Sequence, residues 1–150
     1  MTAAPYVAVV GAGGDVVADV LADAEAVGAG LARRGAVLVC GGLGGVMEAA
    51  CRGARSLGGV TLGILPGSER AAANAWVSIA VATGLGELRN GLVVRCADAV
   101  IAIDGEYGTL SEIALALKAG TRVVGLRSWE IRGVLSAGEP AAAVALALEG

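Results

Sequence analysis

Short apolar runs that end near glycine or proline alternate along the chain with longer segments of helical spacing. The runs are poor in charge, as is typical of strands that are buried on both faces of a sheet. They predict six strands, at residues 6–10, 36–40, 60–65, 76–81, 99–103 and 122–126. Helical spacing predicts helices over roughly residues 15–34, 46–57, 86–96, 109–119 and 140–148. Strands and helices in this order predict an α/β fold whose parallel sheet has helices on both faces.

The length of 150 residues is that of one domain with a real core. No internal repeat, low-complexity tail or linker divides the sequence. We therefore expect a single doubly wound Rossmann-like domain over residues 1–150, of the kind that binds nucleotides or phosphates.

Composition narrows the class of partner. The net charge of −3 argues against nucleic acid, because nucleic-acid binders usually present a basic face. No apolar run is long enough to span a membrane, and residues 1–5 lack the basic segment of a signal peptide. We expect a cytoplasmic protein with no membrane partner. Hydrophobic residues make up 56% and charged residues 17% of the chain, which favours apolar surface buried between subunits.

The absence of histidine restricts the chemistry. Imidazole acid–base catalysis and histidine-ligated metals are excluded. Cys40, Cys51 and Cys96 are odd in number and widely spaced, so they are expected to be small buried thiols rather than disulfides or zinc ligands. The sequence predicts no metal site.

Three glycine-rich turns follow predicted strands one, two and five, and all such turns lie at one edge of a doubly wound sheet. The first, at residues 11–16, has Val16 where the dinucleotide fingerprint has its third glycine, and the second, at residues 41–47, has different spacing. No acidic residue ends the second strand to hold a ribose, which disfavours an NAD site. The glycines either make tight turns only or line a phosphate site. Three turns on one edge favour a nucleotide or sugar-phosphate site.

The stretch Gly108–Glu112 joins the fifth strand to a predicted helix. Thr109 and Glu112 have the spacing of a capping box, in which each side chain binds the backbone amide of the other. Capping is the stronger local interpretation of Glu112. Catalysis is compatible with it, because the same hydrogen bonds would fix the carboxylate.

Arg89 and Asn90 lie near the start of the helix before the fifth strand. Leu88, Leu92 and Cys96 form its predicted apolar stripe, which leaves Arg89 and Asn90 on another side. Arg89 is either a solvated arginine or a clamp on phosphate or carboxylate, for which the guanidinium fork is suited.

Residues 6–126 resemble the Lonely Guy family, whose members are often labelled lysine decarboxylases, and especially its short bacterial branch. The family signature P-G-G-x-G-T-x-x-E corresponds to residues 104–112, and an E-R-K triplet corresponds to residues 88–90. An A-D-A motif stands at residues 97–99, and residues 41–47 are similar to the family's G-G-x-x-G-L-M loop.

The resemblance implies a phosphoribohydrolase that cleaves the N-glycosidic bond of a nucleoside 5′-monophosphate. By resemblance Arg89 and Glu112 are the catalytic pair. A carboxylate there would stabilise the positive charge that develops on the ribose. The implied substrate- and phosphate-binding residues are Gly41, Gly42, Gly45, Asn90, Gly105, Glu106, Tyr107, Gly108 and Thr109. No metal or redox cofactor is implied, and a homodimer or a higher even oligomer is expected.

The chain departs from the family motifs at positions beside the expected site. Asp104 replaces its proline, Glu106 its second glycine and Asn90 its lysine. Glu106 adds a side chain beside the phosphate loop, and Asn90 removes a positive charge. These changes fit an alternative function, that of a non-catalytic carrier or sensor of a phosphorylated ligand such as molybdenum cofactor. Some members of the wider superfamily resemble molybdenum-cofactor carriers.

Overall fold

The computed structural model describes residues 3–150, in which seven parallel strands form one sheet. The strands are β1 (Tyr6–Gly11), β2 (Val37–Cys40), β3 (Thr61–Leu65), β4 (Ile79–Ala82), β5 (Ala99–Ile103), β6 (Arg122–Leu126) and β7 (Val134–Ala137). The helices are α1 (Ala18–Arg33), α2 (Val46–Ser56), α3 (Arg89–Arg95), α4 (Tyr107–Lys118) and α5 (Pro140–Ala147). The predicted doubly wound Rossmann-like fold is confirmed.

The strand order is β4-β3-β2-β1-β5-β6-β7, so the winding reverses between β1 and β5. In open parallel sheets this reversal leaves a crevice at the carboxyl ends of the strands. Alternate strand residues supply two cores. One packs against α1, α2 and α5, and the other against α3 and α4. The turns that follow β1, β2 and β5 therefore meet at the crevice, as the sequence predicts.

The structure differs from the prediction at the sheet's margins. Strand β7 was not predicted, because its short edge sequence is half exposed and carries no long apolar run. Strand β4 begins at Ile79, because residues 76–78 are held in a turn by hydrogen bonds to Asn74 and Thr61. Within residues 3–150, no helix is long and apolar enough to cross a membrane. The sequence argument about a signal peptide rests partly on Met1 and Thr2, which lie outside the described residues.

The three cysteines are free thiols in different surroundings. Cys40 and Cys51 are buried with their sulfurs 3.5 Å apart, as expected of small core residues. The prediction was wrong for Cys96, which is exposed where α3 ends.

Candidate functional site

A cavity of about 220 Å³ opens at the crevice between β1 and the turns after β2 and β5. We call it the Arg89 cavity. Its wall combines backbone of the first two glycine-rich turns with side chains of α3 and α4. The lining residues are Val9, Val10, Gly11, Ala12, Gly13, Gly41, Leu43, Met47, Arg89, Asn90, Glu106, Gly108, Thr109 and Glu112.

Arg89 is the first residue of α3, and its side chain is about nine-tenths buried. The prediction for this helix was wrong: Arg89 lies on the buried face, while Leu88 is 78% exposed and Leu92 is also exposed. The reason is that Val93 and Val94 pack into the core, and Arg89 is one helical turn before Val93 on the same face. The arginine is therefore directed into the protein.

The guanidinium of Arg89 lies directly against Gly41. A Cβ on Gly41 would stand 2.8 Å from Arg89 Nη2 and 2.9 Å from Met47 Sδ, so a larger residue there would displace the guanidinium and the Met47 side chain from their present positions. Arg89 Nη1 donates a hydrogen bond to Asn90 Oδ1. Arg89 Nε is buried without a hydrogen-bond partner among residues 3–150. A buried donor without a partner is costly, and the guanidinium as a whole forms no ion pair among the described residues, which leaves its charge available to an anion in the cavity.

Helix α4 begins earlier than the sequence suggests, and this changes the position of Glu112. Glu106 is the N-cap, and its backbone N–H donates to Thr109 Oγ1 at 3.3 Å. The predicted capping box of Thr109 with Glu112 is therefore wrong. Thr109 lies inside the first turn and Glu112 almost a turn further on, where its carboxylate cannot reach the N-cap amide.

Glu112 is buried in the wall of the cavity, 8% exposed. Burial raises the pKa of its carboxyl to about 7, and the positive charge of Arg89 partly offsets this effect. The two side chains form no direct ion pair among the described residues. Near neutral pH the carboxyl is therefore divided between a neutral form that can donate a hydrogen bond and a charged form that can accept a proton.

The structure brings seven of the predicted site residues together around the cavity. These are Gly41, Arg89, Asn90, Glu106, Gly108, Thr109 and Glu112. The four others lie outside its lining. Gly42 and Gly45 both have positive φ; Gly42 packs against Leu65, and Gly45 packs against the carbonyl of Ala12. Gly105 has φ +136° and packs against Trp129. The side chain of Tyr107 is 89% exposed.

Sequence reasoning gave no site residue in the first glycine-rich turn, yet Gly11, Ala12 and Gly13 line the cavity. The turn is fixed to α2 by a hydrogen bond from the Val46 amide to the Ala12 carbonyl, 2.9 Å long. The available signal was its place after β1, at the reversal of the strand order. The turn does not match the dinucleotide fingerprint, which argues against an NAD site but not against a position in the wall of the Arg89 cavity.

The Rossmann-like sheet and its cavity agree with a Lonely Guy-like protein, and comparisons with known proteins show that the chain is one. The model of the SLOG cluster4 family matches residues 4–147, and the chain belongs to this family. An uncharacterized protein of Archaeoglobus fulgidus is 48% identical over 101 residues. That match covers 67% of this chain and 66% of the relative's length.

Two of the solved structures similar to this chain are those of molybdenum-cofactor proteins. The molybdenum cofactor binding protein of Rippkaea orientalis is 36% identical, with a TM-score of 0.87 and 93% of each chain covered. The molybdenum cofactor carrier protein of Chlamydomonas reinhardtii is 32% identical, with a TM-score of 0.86 and 95% of each chain covered. The expected relation to Lonely Guy-like proteins and to molybdenum-cofactor carriers is confirmed.

Proposed function

We propose that this protein binds a phosphorylated small molecule in the Arg89 cavity and carries it unchanged, and that the ligand is molybdenum cofactor. The observation that carries the proposal is the side chain of Arg89, which lines the cavity, is nine-tenths buried and forms no ion pair among the described residues. A buried cation without full hydrogen bonding is costly, and an anion offsets that cost.

The geometry suits the charged end of a ligand. A guanidinium presents a planar fork of donors that matches phosphate oxygens. The volume of about 220 Å³ is below the range of pockets that enclose whole drug-sized ligands, roughly 300 to 1,000 Å³. The cavity therefore takes an anionic group, while the rest of the ligand lies outside it.

Two further observations favour a carrier. The similar structures from Rippkaea orientalis and Chlamydomonas reinhardtii are described as proteins that bind or carry molybdenum cofactor. Glu106, at a position where the hydrolase signature has glycine, lines the cavity and caps α4. Its side chain alters the loop to which the signature assigns phosphate binding.

Anion binding at Arg89 is tested by calorimetric titration with inorganic sulfate, a phosphate-like dianion. Arg89→Ala is expected to weaken binding about tenfold or more, as is typical for the loss of a charge-assisted hydrogen-bond pair. Arg70→Ala is the matched control, because it removes the same charge from an exposed turn. Equal affinity of the Arg89 and Arg70 variants would refute the anion site.

Hydrolysis of an N-glycosidic bond is the second candidate function. It is favoured by the pKa of about 7 of Glu112, which lines the same cavity as Arg89. In this reaction water adds to C1′ of the ribose, the N-glycosidic bond breaks, and the base leaves with the bonding electrons and takes up a proton. A neighbouring carboxylate would stabilise the cationic transition state and accept a proton from the water.

An assay with a panel of nucleoside 5′-monophosphates distinguishes the two functions. The carrier proposal predicts no release of free base or ribose 5-phosphate above background. Release that Glu112→Gln abolishes, with the fold retained, would instead assign the protein as a phosphoribohydrolase.

We also propose that the protein is a homodimer or a higher even oligomer whose copies meet at an apolar face of α3 and α4. Leu88 is 78% exposed and Tyr107 89% exposed, and Leu92 and Leu115 are exposed nearby. The helices are neighbours, joined by a hydrogen bond of 3.5 Å from Asn90 Nδ2 to Ser111 Oγ. Exposed apolar side chains on adjacent helices are typical of a self-association surface.

A further inference from the structure

The charged side chains that line the Arg89 cavity are one guanidinium and two carboxyls. Arg89 of α3 supplies the guanidinium, and Glu106 and Glu112 of the β5–α4 region supply the carboxyls. Strand β1, the first two glycine-rich turns and α2 contribute only uncharged residues to the lining. With both carboxyls ionised the cavity would have a net negative charge, so an anion binds more favourably when one of them is neutral.

Glu112 is the carboxyl that becomes neutral at the lower cost. The side chain of Glu106 is exposed at the N-cap of α4, where water and the positive end of the helix dipole both stabilise a negative charge. Glu112 lies further along the helix and is buried, and burial raises the pKa of its carboxyl to about 7. Near neutral pH a small free energy therefore decides whether Glu112 is charged.

The thiol of Cys40 is the other titratable group close to the charge of Arg89, and it does not take part in this change. It lies directly before Gly41, at the end of β2. The hydrogen bond with Cys51 and burial together raise the pKa of Cys40 well above its ordinary value. The thiol is thus neutral near pH 7, and Glu112 is the group through which pH acts on the cavity.

Glu112 and Arg89 face the cavity from α4 and α3 without meeting each other. They form no ion pair, and the Glu112 carboxyl forms no hydrogen bond, within residues 3–150. Unlike Arg89 Nε, the Glu112 oxygens are not fully enclosed by protein. A molecule in the cavity can therefore contact the guanidinium and the carboxyl at the same time.

Oxyanions differ in whether they bring a proton to such a carboxyl. Sulfate has none near neutral pH, and a phosphate monoester loses its last proton at about pH 6, so both can only accept hydrogen bonds. An ionised carboxylate also only accepts, whereas a neutral carboxyl donates to an anion's oxygen. Inorganic phosphate keeps a proton at this pH and can donate it to an ionised carboxylate.

We infer that Glu112 is a specificity-determining residue of the Arg89 cavity, which in its protonated form donates a hydrogen bond to the oxyanion that Arg89 binds. One proton then lies between Glu112 and the anion, whichever of them brought it. A phosphate monoester dianion binds together with one proton from the solvent, and a rise in pH releases both. The inference rests on the proposed function only in requiring that the cavity binds an anion.

The test is a calorimetric titration of the full chain with sulfate and with inorganic phosphate at about pH 6 and about pH 8. Glu112 changes from about nine-tenths to about one-tenth protonated over this range, so sulfate affinity should fall about tenfold. The affinity for phosphate, which brings its own proton, should fall less. An unchanged sulfate affinity, or an equal fall for both anions, would overturn the inference.

Glu112→Gln separates the role of the proton from that of the side-chain shape. Glutamine keeps the shape and an N–H donor but cannot ionise, so its sulfate affinity should be the same at both pH values. Glu69→Gln is the matched control, because it removes an exposed carboxyl before the turn at residues 70–72 and should keep the wild-type fall. A Glu112→Gln variant that shows the same fall as wild type would contradict the inference.

The number of protons taken up with sulfate is a second readout. Titrations at about pH 8 in two buffers of different ionisation enthalpy should give about one proton per sulfate for wild type and none for Glu112→Gln. The wild-type value needs no variant, so it decides the matter even if Glu112→Gln does not fold. Sulfate binding without proton uptake would overturn this inference and leave the anion site at Arg89 standing. No sulfate binding at either pH would overturn both.

Discussion

At the scale of single residues, burial decides the chemistry of Glu112. Two glutamates line the Arg89 cavity, but Glu106 is exposed at the N-cap of α4 and Glu112 is 8% exposed. Loss of hydration disfavours the charged carboxylate, which raises the pKa of Glu112 to about 7 from an ordinary value of 4.5. The same burial that makes Glu112 able to exchange a proton near neutral pH makes its charged form unfavourable to folding.

The raised pKa of Glu112 predicts a pH-dependent stability. Between about pH 4.5 and about pH 7 the folded chain holds more protons at this site than the unfolded chain, so the free energy of unfolding falls as the pH rises. The loss is on the order of 3 kcal/mol at most, from about 1.4 kcal/mol per pKa unit. Urea denaturation across this window should show a smaller fall for Glu112→Gln than for wild type.

Glu106→Gln is the matched control for this measurement, since Glu106 is an exposed glutamate in the same cavity. Its stability should follow the wild-type pH profile more closely than that of Glu112→Gln. Parallel profiles of wild type and Glu112→Gln would mean that the buried carboxyl does not titrate as described.

Gly41→Ala is expected to disturb the anion site by displacing Arg89. The added Cβ would lie 2.8 Å from Arg89 Nη2, so the guanidinium must move. Sulfate affinity should fall about tenfold, comparable to the loss of a charge-assisted hydrogen bond. Gly14→Ala is the control, because a Cβ there meets no atom within 4 Å. Wild-type affinity in Gly41→Ala would show that the arginine does not need its present position.

At the scale of elements, the start of α4 sets the geometry of the site. Thr109 accepts the Glu106 amide at 3.3 Å and is 2% exposed. Thr109→Val keeps the side-chain shape but removes the hydroxyl that accepts this hydrogen bond, so it should lower the free energy of unfolding by about 1 kcal/mol. Thr109→Ser keeps the hydroxyl and should therefore retain most of the wild-type stability. Denaturant titration measures both. A valine variant as stable as the serine variant would refute this role of Thr109.

The sequence predicts the order of the elements well and their exact ends and faces less well. Buried strands such as Ala99–Ile103 are apolar at every position, and this pattern predicts them without tertiary information. Helix α3 is different. Leu88, just before the helix, and Leu92 within it suggest an apolar stripe, but the sheet selects Val93, Val94 and Arg89 as the buried face. That choice depends on packing between distant segments, which helical periodicity alone does not encode.

The same holds for the candidate site, whose position in the fold follows from the order of the elements but whose local contacts do not. The three strand-to-helix turns are placed correctly because topology alone brings them to one edge. The predicted capping box was wrong because Glu106 and Thr109 have the same spacing as Thr109 and Glu112, and the helix begins at the earlier pair. The burial of Arg89 with its Nε unpaired depends on side-chain contacts across the fold, so the sequence gives no signal for it.

At the scale of the whole molecule, the exposed apolar face of α3 and α4 predicts self-association. Leu88→Glu should lower the sedimentation coefficient to that of a monomer, because it places a charge where copies are proposed to meet. Val17→Glu is the control, since Val17 is 68% exposed just before α1, away from this face. A wild-type chain that sediments as a monomer, or an unchanged oligomer in Leu88→Glu, would contradict the proposed interface.

The Arg89 cavity is proposed to hold the charged end of a carried ligand. The most direct measurement is the molybdenum retained after the protein is mixed with molybdenum cofactor released from a molybdoenzyme and passed through gel filtration. Wild type and Arg70→Ala are expected to retain molybdenum in proportion to protein, and Arg89→Ala about tenfold less. Equal retention by Arg89→Ala, or no retention by wild type, would contradict this proposal.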